Sequence, residues 1–248
     1  MSWPEGYERR VLAQVDSTNA EASRIADTLA GPAWILARHQ TAARGRRGRP
    51  WSMAKGNFAA TLVLRPVETA EVVALRSFVA SLALHEALVM TTGRTDGLSL
   101  KWPNDVLLNG GKVAGILLES LGQRQGVSHL AIGIGVNLEV APSEDEVEPG
   151  AIRPVSLMSA TGVAIDPEAF LDLLATAYAR VETMFRTQGF APIRQAWLLR
   201  AARLGEIITA RTGTRETTGT FETVDAQGHL VLVTAQGRER IAAADVFF

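Results

Sequence analysis

Residues 105–120 read Asp-Val-Leu-Leu-Asn-Gly-Gly-Lys-Val-Ala-Gly-Ile-Leu-Leu-Glu-Ser. Two apolar runs, Asp105–Leu108 and Lys112–Ser120, meet at Asn109-Gly110-Gly111, and Asn-Gly between apolar runs is a strong hairpin signal. Downstream, Leu130–Leu138 (LAIGIGVNL) reads as a further strand, with Gly133 and Gly135 leaving room for something to approach the backbone. Upstream, Glu8–Val15, Trp34–Gln40 and Asn57–Leu64 supply more strand candidates. The apolar positions of Thr69–Met90 recur at helical spacing up to a stop at Gly93.

The ends of the chain have different textures. Asp16-Ser-Thr-Asn19 opens a helix to about Leu29, with Thr18 and Glu21 spaced for a capping box. Glu139–Pro154 reads as an acidic loop. Asp166-Pro167 is an N-cap followed by proline at the first helical position, starting a helix to about Gln188, and Pro192–Ala202 is a shorter one. From Gly205 short strands (Glu206–Ala210, Gly219–Val224, His229–Thr234, Arg238–Ala242) alternate with glycine turns, the pattern of a small β-barrel. The expected division is 1–203 and 204–248.

Composition narrows the function. With 248 residues, 47% of them hydrophobic, the chain can bury a large core. Twenty-five basic against 26 acidic residues leave a formal charge of −1, without the basic surplus of a protein that holds nucleic acid through phosphates. The absence of cysteine excludes disulfides, thiolate metal sites and cysteine nucleophiles. His39, His85, His129 and His229 lack zinc-ligand spacing. The first residues have neither the basic nor the apolar part of a secretory signal, and Phe78–Met90 is too short to span a bilayer, so a cytoplasmic protein without membrane or nucleic-acid partners is expected.

Four segments could carry chemistry. Arg44-Gly-Arg-Arg-Gly-Arg49 cannot bury an apolar face. It is either a solvated basic loop or an anion clamp of converging N–H groups and guanidiniums, with Trp51 offering a flat surface nearby. It lies within Gln40–Gly56, a stretch without hydrophobic periodicity that is long for a loop in a compact domain. Lys101-Trp-Pro-Asn-Asp105 presents an amide and a carboxylate at a strand edge, and Lys112 starts an otherwise apolar strand. Such a lysine is either a snorkelling edge residue or a fixed positive charge for a reacting carboxylate and phosphate. Asp16-Ser-Thr-Asn19 is a helix cap or a set of polar ligand contacts, which Gln40 could join. Gly133-Ile-Gly-Val-Asn137 does not match the dinucleotide fingerprint GxGxxG.

In this order the segments Asp-Ser-Thr-Asn, Gln40 with the Arg-Gly loop and Trp51, Lys-Trp-Pro-Asn-Asp, Gly-Lys-x-x-Gly-Ile-Leu-x-Glu and Gly-Ile-Gly-x-Asn resemble the catalytic domain of biotin–protein ligases. The motifs run from about residue 8 to 138, and the last 45 residues match that family's SH3-like domain. The resemblance implies an α+β fold: a mixed, largely antiparallel sheet with helices packed on it, and a small C-terminal SH3-like β-barrel. It implies that biotin and ATP form biotinyl-5′-AMP and pyrophosphate, with Mg²⁺. Biotin then passes to one lysine of the biotin carboxyl carrier domain of a carboxylase such as acetyl-CoA carboxylase. A homodimer formed through the sheet is common in the family.

By the same resemblance, Ser17, Thr18, Asn19 and Gln40 hold the biotin head group. Arg44, Gly45, Arg46, Lys112 and Gly115 line the rest of its site, with Lys112, Arg44 and Arg46 as the catalytic charges. The nucleotide falls to Arg44, Arg46, Arg47, Arg49, Trp51 (against adenine), Asn104, Asp105, Lys112 and Asn137 (towards the ribose), with Asp105 also facing Mg²⁺. Ala43 departs from the usual glycine before the first loop arginine, and a positive φ there would cost about 1 kcal/mol. About seven residues precede the first strand, too few for the helix-turn-helix that makes some relatives repressors. A lipoate–protein ligase is the nearest alternative, and its Arg-Gly-Gly-rich motif is absent. A nucleic-acid-binding module conflicts with the neutral charge, and a non-catalytic scaffold with intact Lys112, Arg44 and Arg46.

Overall fold

A computed structural model describes residues 2–121, 128–148, 150–213 and 215–248. In chain order the elements are β1 (Glu8–Leu12), α1 (Thr18–Ile25), β2 (Ala33–Ala37), β3 (Phe58–Leu64), α2 (Ala70–Ala74) and α3 (Arg76–Thr92). Then come β4 (Leu98–Lys101), β5 (Asp105–Leu108), β6 (Gly111–Leu121), β7 (His129–Val136), α4 (Leu157–Thr161), α5 (Pro167–Gln188) and α6 (Phe190–Leu198). Five strands follow: β8 (Ile207–Thr212), β9 (Arg215–Val224), β10 (Leu230–Thr234), β11 (Gly237–Ile241) and β12 (Asp245–Phe247).

The first seven strands form one sheet in the order β1-β2-β3-β7-β6-β5-β4. Only β1 and β2 run parallel; every other pairing is antiparallel, so the sheet is mixed and largely antiparallel as expected. The hairpin at Asn109-Gly110 pairs β5 with β6, both turn residues taking positive φ (50° and 76°), the backbone that favours this dipeptide. Gly93 ends α3 in the left-handed conformation, and the Asp166 carboxylate accepts the amides of Glu168 and Ala169 to start α5.

Strand alternation sends Ile132, Ile134 and Val136 to one face, where they are buried beneath α3, α5 and α6. Edge-to-face ring pairs lock this layer, Trp34 with Tyr178 (5.9 Å) and Phe58 with Phe170 (5.1 Å). Ala70–Thr92 is the stretch among the described residues long and apolar enough to cross a membrane, but 72% of its apolar window is buried, the condition of a core helix. On the other face α1 covers only β2, β3 and part of β7, through a small cluster of Ala22, Ala26, Ile35, Val63 and Ala131. No further helix is packed on the rest of that face among the described residues, and the Trp51 indole lies on part of it.

Several local expectations give way. The strand Leu98–Lys101, the helix α4 and the strand β12 are additional, and the long helix breaks at Leu75 into α2 and α3. Thr18 is the first helical residue rather than a cap, and Ser17 at the N-cap makes no side-chain capping bond. The capping box is absent because Thr18 is turned to Gln40 and Thr61, while Glu21 pairs with Arg24. The terminal strands form an antiparallel sheet, β11-β10-β9-β8-β12, that does not close, so the expected barrel is an open one. A register shift at Val231/Leu232 curls this sheet, but its edge strands β11 and β12 each pair on one side only. The sheet docks on the larger one through the Trp102 indole, which donates to the Gly228 carbonyl at 3.0 Å, and one apolar core runs through both.

Candidate active site

The open face has a glycine floor. On β7 the same alternation that buries Ile132, Ile134 and Val136 turns Ala131, Gly133 and Gly135 the other way. Gly135 is opposite Gly115 on β6, and Gly133 lies between Thr61 on β3 and Leu117 on β6. A Cβ on Gly135 would come 2.7 Å from the Trp51 indole and one on Gly115 3.2 Å from it, while one on Gly133 would run into the Asn19 carboxamide. These glycines have ordinary strand backbones, so the demand is for space alone.

At one end of the groove is a connected set of neutral polar groups that ends on the Glu119 carboxylate. Gln40 Oε1 accepts from the Thr18 amide (2.8 Å) and hydroxyl (3.2 Å). The Thr61 hydroxyl lies 2.8 Å from the Thr18 hydroxyl and donates to Asn19 Oδ1 at 2.6 Å, and Asn19 Nδ2 donates to Glu119 Oε2 at 2.6 Å. Ser17, Thr18, Asn19 and Thr61 are all buried. The mutual bonds of Thr18, Asn19, Thr61 and Gln40 fix their rotamers before any ligand binds, which is what pre-organisation requires, whereas the Ser17 hydroxyl makes no capping bond.

Charge gathers towards the other end. Lys112 Nζ is 2.8 Å from Asp105 Oδ1 and 5.6 Å from the centre of the Trp51 ring, and Lys101 Nζ is 3.8 Å from Asp105 Oδ2. Burial pushes the Asp105 carboxyl up, but the Lys112 and Lys101 ammoniums outweigh it and hold it below its ordinary value. Burial lowers Lys101, with Asp105 acting against it. Asn104 Nδ2 donates to the Ile116 carbonyl at 2.6 Å, and its Oδ1 accepts from Arg46 at 3.4 Å.

The arginine segment folds back on itself. The Gly45 amide donates to the Arg49 carbonyl (2.7 Å) and the Trp51 amide to the Ala43 carbonyl (3.0 Å), which sets Trp51 over the glycine floor. Ala43 carries no positive φ; the left-handed residues are Arg47 (φ 56°) and Gly48 (φ 72°), so the cost expected at Ala43 falls on Arg47. Arg44 lies 4.0 Å from Glu119, and Arg46, Arg47 and Arg49 turn to the terminal sheet.

Two expected roles meet competing contacts. The Asn137 carboxamide is buried: its Nδ2 donates to the Val155 carbonyl (3.2 Å), pinning the chain before α4, while its Oδ1 has no partner among the described residues. Asp105 is a poor Mg²⁺ ligand because its two oxygens already face the Lys112 and Lys101 ammoniums, at 2.8 and 3.8 Å, so a divalent cation there would meet two like charges. Among the described residues no three acidic or histidine side chains gather as a metal site. Conversely, Thr61, Glu119, Lys101 and Asp245 belong to the site without having been singled out for it. Thr61 is a lone polar residue inside the fully buried run FAATLVL, a signal that was there to read.

Residues 11–137 match the biotin/lipoate A/B protein ligase family, and residues 204–248 match the biotin protein ligase C-terminal domain. The chain belongs to the biotin/lipoate A/B protein ligase family. Within it, the chain is 60% identical over 238 residues to a biotin–[acetyl-CoA-carboxylase] ligase of Paracoccus denitrificans, covering 96% of this chain and 99% of that protein. It is 32% identical over 216 residues to the bifunctional ligase/repressor BirA of Bacillus subtilis, covering 86% of this chain and 65% of that one. A biotin protein ligase of Aquifex aeolicus, solved in complex with biotin and ATP, superposes with a TM-score of 0.83 at 26% identity, covering 96% of this chain and 98% of that one.

Proposed function

We propose that the protein is an ATP-dependent biotin–protein ligase. The observation that carries this reading is the groove: a glycine floor with a buried neutral polar network at one end and the Lys112–Asp105 pair beside it. Biotin suits both ends. Its ureido ring is uncharged and needs donors and acceptors, which Thr18, Asn19, Thr61 and Gln40 supply, and a dithiolane ring would use neither. The space left by the missing side chains at 115 and 135 seats the Trp51 indole beside Lys112, where the carboxylate of biotin's tail would arrive.

In the first half-reaction a biotin carboxylate oxygen attacks the α-phosphorus of ATP. The new C(O)–O–P bond forms as the bond to the β-phosphate breaks, and pyrophosphate leaves with its electron pair. Two anions must meet, so positive charge fixed in advance lowers the barrier. Lys112, held at 2.8 Å by Asp105, supplies it at the junction, and Arg44 and Arg46 supply it from the loop. Arg47 and Arg49 reach the outer phosphates, and Trp51 shields the anhydride from water. Mg²⁺ would enter with the nucleotide and help neutralise its phosphates. In the second half-reaction the neutral amine of a carrier-domain lysine attacks the acyl carbon, AMP departs, and the amide nitrogen loses a proton. Carboxylase carrier domains and ATP would meet the enzyme in the cytoplasm.

The test is label transfer: protein, Mg-ATP and a carboxyl carrier domain are incubated with biotin or lipoate, and the modified residue is mapped by mass spectrometry. One carrier lysine carrying biotin, and none carrying lipoate, is the expected result. Equal lipoylation would move the reading to the other branch of the family.

A further inference from the structure

The last strand of the terminal sheet makes a contact that the chemistry above leaves unused. Asp245, first residue of β12, is largely buried, and its carboxylate faces three arginines of the loop nearly two hundred residues away in sequence. Oδ2 lies 2.6 Å from Arg47 Nη1 and 3.0 Å from Arg49 Nη2, and Oδ1 lies 3.9 Å from Arg46 Nη1. The preceding Ala244 carbonyl accepts from Arg46 at 3.3 Å. Just past the end of that strand the Phe248 ring lies 5.6 Å from Lys101 Nζ, beside Asp105. The last four residues thus touch both the arginine loop, through Asp245, and Lys101, through Phe248.

We propose that Asp245 is a positioning residue for ATP: it gathers Arg46, Arg47 and Arg49 at the mouth of the groove so that their free N–H groups await the phosphates. This rests on the ligase reading above. Three guanidiniums crowded together repel one another and, left alone, would spread into solvent with the freedom of long side chains. One carboxylate at their centre offsets that repulsion without exhausting the donors, since each guanidinium has five N–H bonds. Glu148, mostly exposed, is the second carboxylate at the cluster, 2.8 Å from Arg49 Nε. Three positive charges against two negative ones leave a surplus suited to a polyanion. Arg47 gives independent support: its left-handed backbone is unfavourable for a residue with a side chain, and strain of this kind persists where a surrounding contact over-determines it. Its guanidinium has the shortest of the Asp245 contacts. The terminal sheet then acts on the chemistry by holding the loop in its receiving shape.

Asp245→Asn keeps the shape and removes the charge. In the ligand-free protein, amide hydrogen exchange over residues 44–50 should quicken about tenfold or more. In pyrophosphate release, the KM for ATP should rise about tenfold while the KM for biotin stays within a factor of two, and Asp245→Glu should recover most of both. A purely structural lesion would move both KM values together, and that result would overturn the proposal, as would loop exchange and an ATP KM equal to wild type. Should Asp245→Asn fail to fold, Arg47→Gln breaks the same pair from the exposed side and should also quicken loop exchange; unchanged exchange there would overturn the proposal. A protein with no biotin-dependent pyrophosphate release would sink the ligase reading and the ATP role with it, whereas the exchange comparison would still decide whether Asp245 holds the loop.

Discussion

The two faces of β7 are made by alternate residues of one run and have opposite tasks. Ile132, Ile134 and Val136 fill the space beneath the helices, while Gly133 and Gly135 leave space above the sheet. On the filled face side-chain volume stabilises the fold. On the open face the deletion of side chains admits Asn19, Trp51 and a ligand. A strand can carry both because its side-chain period is two, so function here costs core volume on one face only.

The comparison breaks most visibly at Lys112, which belongs wholly to the open face. Lys112→Ala should reduce adenylate formation by about a thousandfold, the scale of losing a pre-placed charge in a shielded site, in a protein that still folds but melts lower because the buried Asp105 keeps only Lys101. A loss below tenfold in single-turnover kinetics would remove Lys112 from the chemistry. Arg46→Gly should let the adenylate escape, seen as label on bystander lysines of an added protein, by an order of magnitude over wild type. Retention equal to wild type would end the loop's role as a clamp. Asn19→Ala unpairs Thr61 and Glu119 and should raise the KM for biotin about tenfold, the effect of one or two hydrogen bonds. An unchanged biotin KM with a raised ATP KM would reverse the orientation of the substrates in the groove.

The filled face predicts a pH effect and none on rate. His85 in α3 is buried, and burial, with Arg200 adding to it, lowers its pKa from 6.5 to about 4. The unfolded chain therefore takes up this proton first as pH falls, so stability is full above about pH 6.5, declines towards pH 4 and levels below it, by up to about 3 kcal/mol. His85→Leu should flatten that window in denaturant titrations while leaving kcat unmoved. A decline of the same depth in the variant would assign it to other groups.

Much of this comparison was legible in the sequence. The alternation in LAIGIGVNL, the Asn109-Gly110 turn and the Asp166-Pro167 start are local patterns, and local physics dictates them. What was missed is long-range. Leu98–Lys101 and Asp245–Phe247 are too short to show a period and become strands because β5 and β8 offer them edges. Thr18 and Glu21 have capping-box spacing, but Gln40 and Thr61 compete successfully for Thr18. Nothing near Asp245 marks it as the partner of a loop at the other end of the chain. Asn137 shows the opposite case: its place in a glycine-rich motif suggests a ligand contact, and the fold gives its Nδ2 to the Val155 carbonyl while its Oδ1 stays without a partner among the described residues.

The most direct test compares neighbours on opposite faces, Gly135→Val and Ile134→Ala, in one experiment pairing thermal melting with biotin-dependent pyrophosphate release. Gly135→Val should melt near wild type and lose most of its activity, because the new side chain fills the groove where Trp51 already lies within 2.7 Å of the first added carbon. Ile134→Ala should lose about 2–4 kcal/mol of stability and keep its KM values. Equal activity in the two variants, or a Gly135→Val protein that turns over like wild type, would contradict the assignment of the chemistry to the open face.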